Sequence, residues 1–288
     1  MRYLVIGAQG QLGRDLCPRL PGEVVAAGRD RADLLRPDLL QATMADVRPD
    51  VVINCAAYNF VDKAESEPEA AFAVNAFGAR DLARLCAQRE CTLVHFSTDY
   101  VFGLDSNRTA PWREDDPPEP VSAYGISKLT GEYFIRSICT RQVVIRTCGL
   151  YGVWGSGGKG GNFVETMLRL AGQGRPLRVV ADQHCTPTYT VDLAEATVAL
   201  LAKEKYGLFH VTNAGACSWH EFASAIFHLS GMSVRIEPIT SAEFGAAARR
   251  PAYSVLSMES LVEIGVAAPR PWPEALAAYL HERTRKTV

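Results

Sequence analysis

Residues 1–13 read MRYLVIGAQGQLG, a short apolar run that passes into three glycines spaced G-x-x-G-x-x-G. The apolar residues stand on both parities, which predicts a strand buried on both faces. The glycines predict a tight turn into a helix, and free backbone N–H groups at such a helix start can hold a pyrophosphate. We therefore predict dinucleotide binding at this turn, by Gly7, Gly10, Gln11, Leu12 and Gly13.

Strand-length apolar runs alternate with helical patterns through the first half of the chain. The runs lie at residues 3–7, 23–27, 50–55, 92–97 and 142–147, and helical periodicity lies at 68–89 and 124–139. Such alternation is typical of α/β proteins with helices on both faces of a parallel sheet. We predict a Rossmann-type doubly wound sheet with a smaller C-terminal α/β substrate domain.

The second half has a different texture. A glycine-rich segment at 155–161 predicts a mobile loop, and Ser218 with Glu221 predicts a capping box at a helix start. We expect a strand at 177–181 and a helix at 190–202 to return the chain to the first sheet. The predicted dinucleotide-binding domain is then 1–150 plus about 176–203, interleaved with a smaller substrate part, 151–175 and 204–288.

Composition narrows the classes of partner. The 288 residues carry 30 basic and 32 acidic side chains, mixed along the chain, which gives no footprint for nucleic acid or a membrane. Eight cysteines stand without any C-x-x-C pair, so we predict buried thiols and no metal site. The expected protein is cytoplasmic and acts on a small molecule, and its sequence leaves a homodimer open.

Two segments bear on the cofactor. Arg29 follows the second strand and would suit a 2′-phosphate, which favours NADPH, while Asp30 and Asp33 keep NADH open. Small residues after the third strand would let a cofactor lie over the sheet edge, and close helix packing is the alternative explanation. These further predicted cofactor contacts are Ala56, Ala57 and Tyr58.

Three residues form a candidate catalytic set. Tyr124 and Lys128 are spaced i, i+4, which places phenol and ammonium on one helix face. A lysine charge favours the phenolate of a neighbouring tyrosine, so the phenol can donate a proton as hydride arrives at a carbonyl carbon. Thr98 ends the preceding strand at the sheet's active edge and can bind the carbonyl oxygen. His95, inside that strand, is predicted to be a packed core histidine.

With these motifs in order, the chain resembles the extended short-chain dehydrogenases and, within them, the dTDP-4-dehydrorhamnose reductases. The resemblance spans nearly the whole chain. It includes the glycine turn, VDKAESEP at 61–68, STDYVF at 97–102, YGISK at 124–128, Asn162-Phe163 and ARRP at 248–251. Dehydratases of similar fold carry Asp-Glu after the threonine, whereas Asp99-Tyr100 follows it here. After Arg146-Thr147 some members place a tryptophan against the sugar, and here Cys148-Gly149-Leu150 occupies that stretch.

The resemblance implies NAD(P)H-dependent reduction of the C4 keto group of dTDP-4-dehydro-L-rhamnose. Tyr124 would then be the proton donor, Lys128 its modulator and cofactor contact, and Thr98 the hydroxyl on the substrate oxygen. Further implied substrate contacts are Asp99, Tyr100, Asn162 and Arg249.

Other functions stay open at this point. One is reduction of another keto sugar. A second is a sugar-nucleotide epimerase that keeps NAD tightly bound. The third is a non-catalytic regulatory subunit, similar to that of methionine adenosyltransferase.

Overall fold

The computed structural model describes residues 1–155, 161–174 and 176–287. Its strands are β1 (Arg2–Ile6), β2 (Glu23–Ala27), β3 (Val51–Asn54), β4 (Thr92–Thr98), β5 (Gln142–Thr147), β6 (Leu150–Tyr151), β7 (Leu177–Val180), β8 (His184–Cys185), β9 (Thr188–Tyr189), β10 (Gly207–His210), β11 (Cys217–Ser218) and β12 (Ile236–Ile239).

The α-helices of the described residues are α1 (Gln11–Leu16), α2 (Pro37–Val47), α3 (Lys63–Ser66), α4 (Pro68–Phe72), α5 (Ala79–Gln88), α6 (Ala123–Ile138), α7 (Phe163–Ala171), α8 (Thr190–Leu201), α9 (Trp219–Leu229), α10 (Ser241–Phe244), α11 (Glu259–Glu263) and α12 (Trp272–Thr287). A π-helix, Ala73–Gly78, joins α4 to α5, and short 3-10 turns lie at Cys17–Arg19 and Asp99–Val101. No helix within the described ranges is long and apolar enough to cross a membrane.

Six parallel strands form the central sheet, in the order β2-β1-β3-β4-β5-β10. Successive strand residues point to opposite faces, so each strand supplies two cores. Val5 packs with α1 and α8 on one face, whereas Leu4 packs with α2, α5 and α6 on the other. This arrangement confirms the predicted doubly wound sheet and places the ends of β1, β3 and β4 along one edge.

One predicted element of the sheet is wrong. The strand near 177–181 does not return to the first sheet, because β7 pairs with β12 in a separate two-stranded sheet. The sixth strand is β10, which pairs with β5 and lies in a range assigned by sequence to the substrate part. The helix at 190–202 does return, since α8 packs on α1. A strand that follows α8 is therefore the one placed to reach the free edge beside β5.

The remaining elements surround a third core. Tyr151, Tyr189, Phe222 and Tyr279 lie at its centre, between α7, α9 and α12. The predicted capping box at the start of α9 is confirmed. The Ser218 hydroxyl accepts from Glu221 N, and the Glu221 carboxylate accepts from Ser218 N. Most of the predicted glycine-rich loop, residues 156–160, lies outside the described residues. The division into two interleaved domains stays a prediction.

The helix predicted at 68–89 is interrupted. Its middle turn is the π-helix, which brings the Asn75 carbonyl against α6, where a Cβ on Gly131 would lie 2.2 Å from that oxygen. Single π turns occur often at functional sites because they re-aim one side chain out of the regular helical ladder. Here the turn places Asn75 beneath the loop that follows β3.

Candidate active site

The glycine turn between β1 and α1 is too tight for side chains. Gly7 has a φ of +73°, and a Cβ there would lie 2.9 Å from the backbone nitrogen of Ala56. A Cβ on Gly13 would lie 2.6 Å from the Gly7 carbonyl oxygen. Gly10 caps α1 with extended backbone and offers no side-chain acceptor to the first helical N–H groups. The helix start is thus open to an anionic ligand.

Two buried polar atoms beside this turn have no partner among the described residues, Gln11 Oε1 and Tyr58 Oη. Gln11 Nε2 donates to the Leu150 carbonyl over 3.2 Å, and Leu12 packs into the core. Because buried polar groups are normally hydrogen-bonded, these atoms suit a polar ligand lying over the sheet edge. Together with the glycine turn, they fit a nicotinamide dinucleotide. The residues that could hold it are Gly7, Gly10, Gln11, Gly13, Ala56, Ala57 and Tyr58, and these contacts stay a prediction.

The loop after β3 is fixed by two asparagines. Asn54 Oδ1 accepts a hydrogen bond from Ala56 N (3.1 Å). Asn75 accepts from Tyr58 N and donates to the Tyr58 carbonyl, both over 2.9 Å, and also donates to Ser127 Oγ on α6 (3.0 Å). Asn75 was not predicted from the sequence. The pattern that could have revealed it is a polar residue on the otherwise apolar face of a predicted helix.

Arg29 is exposed just beyond β2. No hydrogen bond or ion pair of its side chain is recorded among the described residues, and it follows Gly28, whose ideal Cβ would lie 2.7 Å from both Asp30 Oδ1 and Gln9 Nε2. Asp30 therefore packs close to the glycine turn. Arg29 keeps its guanidinium free for a solvent-side anion.

Tyr124, Lys128 and Thr98 meet at the end of β4. The Ser122 hydroxyl caps α6 by accepting from Gly125 N (3.2 Å). A Cβ on Gly125 would lie 2.3 Å from the Tyr100 carbonyl oxygen, so the first turn of α6 approaches the strand end closely. The Thr98 side chain lies close enough to the Tyr124 phenol to lower the pKa of that phenol. Phenol and hydroxyl therefore lie together, as a shared contact to one carbonyl oxygen requires.

Burial sets the charge states of this set. It raises the pKa of the Tyr124 phenol, and the neighbouring Thr98 side chain opposes that rise. It lowers the pKa of Lys128 to about 8, against the attraction of Glu132. Both groups are therefore shifted toward their uncharged forms. A neutral phenol is the form that can donate a proton.

Lys128 has two partners beneath it in the sheet. Its Nζ donates to the Phe96 carbonyl (2.6 Å) and lies 3.2 Å from His95 Nε2. The other ring nitrogen, His95 Nδ1, lies 3.0 Å from Asn54 Nδ2. His95 is buried in the core, as the sequence predicts, but its contact with Lys128 was missed.

Asp99 is 2% exposed, and protein groups engage both of its carboxylate oxygens. Thr98 Oγ1 donates to Oδ1 (3.0 Å), and Ser254 Oγ donates to Oδ2 (2.6 Å). The Cys148 thiol is a further hydrogen-bond partner, and burial raises the pKa of this carboxyl against these bonds. In this structure Asp99 therefore fixes the orientation of the Thr98 hydroxyl. Its contact with a sugar stays a prediction.

Tyr100 lies edge-on to Tyr124, with ring centroids 6.0 Å apart. Its phenol interacts with Arg250, which also forms a two-pronged ion pair with Asp62 (2.8 and 3.0 Å). Arg249, the arginine predicted from sequence, is exposed, and no bond of its side chain is recorded among the described residues. Of the two neighbours, Arg250 is the one that interacts with Tyr100, and no signal in the sequence distinguished them. The substrate contact of Arg249 stays a prediction.

Asn162 caps α7. Its side chain accepts from Glu165 N (3.0 Å) and donates to the Gly152 carbonyl (2.9 Å). Both ends of the Asn162 amide are therefore engaged by backbone groups, and its contact with a substrate stays a prediction. Across the described ranges, no group of three or more His, Cys, Asp or Glu side chains could hold a metal ion.

A parallel sheet with a glycine turn, a strand-end threonine and a Tyr/Lys helix at one edge defines a Rossmann-type short-chain dehydrogenase. The chain belongs to the family described as the RmlD substrate binding domain, whose family model matches residues 1–285. The predicted family is thus confirmed.

Individual relatives are similar over nearly their full lengths. The spore coat polysaccharide biosynthesis protein SpsK of Bacillus subtilis is 43% identical over 98% of each chain. A probable dTDP-4,6-dihydroxy-2-methyloxan-3-one 4-ketoreductase of Streptomyces antibioticus is 42% identical over 96% of this chain and 93% of its own. The crystal structure of dTDP-4-dehydrorhamnose reductase from Bacillus anthracis, in complex with NADP, is 37% identical, with a TM-score of 0.92 over 98% of this chain and 99% of that one.

Proposed function

We propose that this chain reduces the C4 keto group of dTDP-4-dehydro-L-rhamnose to give dTDP-L-rhamnose, with NADPH as hydride donor. The observation that carries the proposal is the placement of the Tyr124 phenol beside the Thr98 side chain, one helical turn from buried Lys128, at the same sheet edge as the glycine turn. The B. anthracis relative, a dTDP-4-dehydrorhamnose reductase bound to NADP, supports both substrate and cofactor.

The residues have distinct tasks in this reaction. A bound nicotinamide supplies the hydride. Tyr124 donates its phenolic proton to the C4 oxygen as charge develops there. Thr98 shares that charge by turning its one hydroxyl proton from Asp99 to the same oxygen. Lys128 in its ammonium form stabilises the phenolate that remains on Tyr124.

The cofactor contacts follow from position. Arg29 lies at the end of β2, where the adenosine ribose of a dinucleotide is recognised, and its free guanidinium suits a 2′-phosphate. NADPH is therefore the proposed cofactor, and NADH is the weaker alternative. On the substrate side we assign Tyr100 to the sugar pocket and keep Asp99, Asn162 and Arg249 as predicted contacts.

The test is direct turnover. Purified protein is mixed with dTDP-4-dehydrorhamnose and either NADPH or NADH, and the loss of reduced-nicotinamide absorbance is followed. Faster consumption of NADPH with formation of dTDP-rhamnose is the expected result. No consumption despite cofactor binding contradicts the proposal.

A different keto sugar is the second candidate. The S. antibioticus relative is named as a ketoreductase of another dTDP-sugar, and it is as similar as the other relatives described. Cys148 leaves a small side chain beside Asp99. Turnover of another dTDP-keto sugar alone would select this candidate. NAD that survives purification would select an epimerase, and a stable complex with a synthetase, without turnover, would select a regulatory subunit.

We further propose a cytoplasmic homodimer. Its support is an exposed apolar face formed by Phe77, Ile126 and Tyr133 on the packed pair of the π-helix and α6. All eight cysteines are free thiols, which suits a reducing compartment. Light scattering on the eluted protein measures the oligomeric state, and a monomer at micromolar concentration contradicts the dimer.

A further inference from the structure

A chain of hydrogen bonds runs beneath Lys128. Asn54 and His95 are aligned partners in neighbouring strands β3 and β4. The Ala56 backbone N–H donates to Asn54 Oδ1 over 3.1 Å. Because a backbone N–H can only donate, this contact fixes which end of the Asn54 amide is oxygen. The amide nitrogen, Nδ2, must then face His95 Nδ1, 3.0 Å away.

The amide orientation determines the tautomer of His95. An amide nitrogen can only donate, so Nδ1 must accept, and the neutral imidazole carries its proton on Nε2. Burial is the larger cause that lowers the pKa of His95 well below its ordinary value and keeps the ring neutral, and Lys128 lowers that pKa further whenever it is charged. Nε2 lies 3.2 Å from Lys128 Nζ. An N–H at this distance needs an acceptor, and lysine offers a lone pair only when it is uncharged.

We propose that His95 is a positioning residue for Lys128. Held by Ala56 and Asn54, it donates its Nε2–H to the uncharged amine and so sets how readily this lysine gains and loses a proton beside Tyr124. The effect on turnover rests on the proposed function. The hydrogen-bond pattern of Asn54, His95 and Lys128 is independent of that function.

The other groups around Lys128 act differently. Glu132, one turn further on α6, favours the ammonium form, and its carboxylate is held by Arg146 of β5 and Ser97 of β4. Tyr124, one turn earlier, is a neutral phenol. β3 contributes the uncharged Asn54. His95 is the neighbour whose N–H faces Nζ, so it opposes Glu132.

Nuclear magnetic resonance tests the pattern without turnover. Cofactor-free protein with 15N-labelled histidine is titrated, and His95 is assigned by the signal missing from His95→Gln. We expect a protonated Nε2, an unprotonated Nδ1, and a change in this signal as Lys128 titrates near its pKa of about 8. In Lys128→Met that change should vanish. A proton on Nδ1, or a signal indifferent to Lys128→Met, overturns the proposal.

Asn54→Asp reverses the pattern with almost no change of shape. A carboxylate oxygen then faces Nδ1, the ring proton moves there, and the Nε2 lone pair faces Nζ, which favours the ammonium form. The pKa of Lys128 should rise, so the basic limb of the kcat profile should move up by about one pH unit. KM for NADPH should stay unchanged. The matched control is Asn107→Asp, which alters an exposed loop asparagine.

The outcomes separate two failures. A switched tautomer with an unmoved basic limb overturns the coupling of His95 to Lys128. If the unaltered protein turns over no keto sugar, the proposed function fails. The NMR titration of the unaltered protein and of Lys128→Met then still decides the hydrogen-bond proposal. His95→Gln serves only to assign the His95 signal. If His95→Gln does not fold, Asn54→Asp identifies the same signal.

Discussion

Ser254 donates a hydrogen bond of 2.6 Å to Asp99, and Asp99 in turn accepts one from Thr98. Ser254 is 3% exposed and lies in the C-terminal part of the chain. A hydroxyl from that part therefore supports the carboxylate that orients a residue of the candidate catalytic set.

Replacing Ser254 by alanine should weaken this support. The change leaves a buried carboxylate oxygen without its closest donor, which costs about 1–3 kcal/mol of the free energy of unfolding. The rate constant kcat should fall because Thr98 loses its fixed orientation, while NADPH affinity stays unchanged. Urea denaturation and steady-state kinetics measure both effects. Ser137→Ala, on the exposed side of α6, is the control, and equal results for the two variants would contradict the role of Ser254.

Tyr124→Phe removes the proposed proton donor and little volume. Turnover should fall by about 10²–10⁴-fold, the usual contribution of a positioned general acid. NADPH binding, followed by nicotinamide fluorescence, should change little. Tyr133→Phe alters an exposed tyrosine of the same helix and should leave turnover unchanged. Full activity in Tyr124→Phe would show that another group donates the proton.

Glu132→Gln breaks a buried ion pair. Glu132 and Arg146 are 0% and 1% exposed, and their atoms approach to 2.7 Å. The variant leaves the Arg146 charge uncompensated in the core, so we expect a loss of about 3–5 kcal/mol in urea denaturation. In the control, Asp38→Asn removes one partner of the exposed Arg36–Asp38 pair and should leave the free energy of unfolding almost unchanged. Losses of equal size would show that the buried pair adds no special constraint.

His210 should make the fold sensitive to acid. Burial, with the nearby charge of Arg146, lowers its pKa to about 3, whereas an unfolded histidine titrates near about 6.5. The unfolded chain therefore binds the proton first, and stability falls as pH drops from about 6.5 toward 3, by about 1.4 kcal/mol per pH unit from this group. Urea denaturation at pH 7 and pH 5 measures the slope. His210→Gln should flatten it, whereas His228→Gln, an exposed site, should not.

Arg29→Ser should reverse the proposed cofactor preference. Loss of charge-assisted hydrogen bonds to a 2′-phosphate costs about 1.5–3 kcal/mol, or roughly 10-fold to 100-fold in NADPH affinity. NADH affinity should barely change. Fluorescence titration with both cofactors gives the ratio, and Arg31→Ser, at a nearby exposed arginine paired with Asp46, is the control. An unchanged ratio would remove Arg29 from the site.

Five strands of the sheet, β1 to β5, were predictable because each run is rich in apolar residues on both parities and bounded by turns, whereas β10 was not predicted. Predicted and observed limits of β2 and β5 coincide. The pairing of β7 was not predictable, because a short apolar run does not indicate which strand or sheet edge it will pair with. Only the placement of α8 on α1 decides that β10 is the strand beside β5.

In the candidate site, too, local sequence patterns predicted residues that are close in the chain but not contacts between distant ones. Local spacing predicted Tyr124 and Lys128, which lie one helical turn apart. The contacts of Lys128 with His95, and of Asp99 with Ser254, join distant parts of the chain, so no local pattern could reveal them. Arg249 and Arg250 are equivalent in sequence, and only the position of Asp62 separates them.

The late arrival of β10 has a consequence for synthesis. The ribosome releases the chain from its N-terminus, so β1 to β5 emerge long before the strand that covers β5. During that interval the sheet has a bare hydrogen-bonding edge, which can pair with another nascent chain. Contacts between residues so far apart in sequence also slow folding. The protein should therefore be most prone to aggregation, and most dependent on chaperones, before residue 207 has left the ribosome.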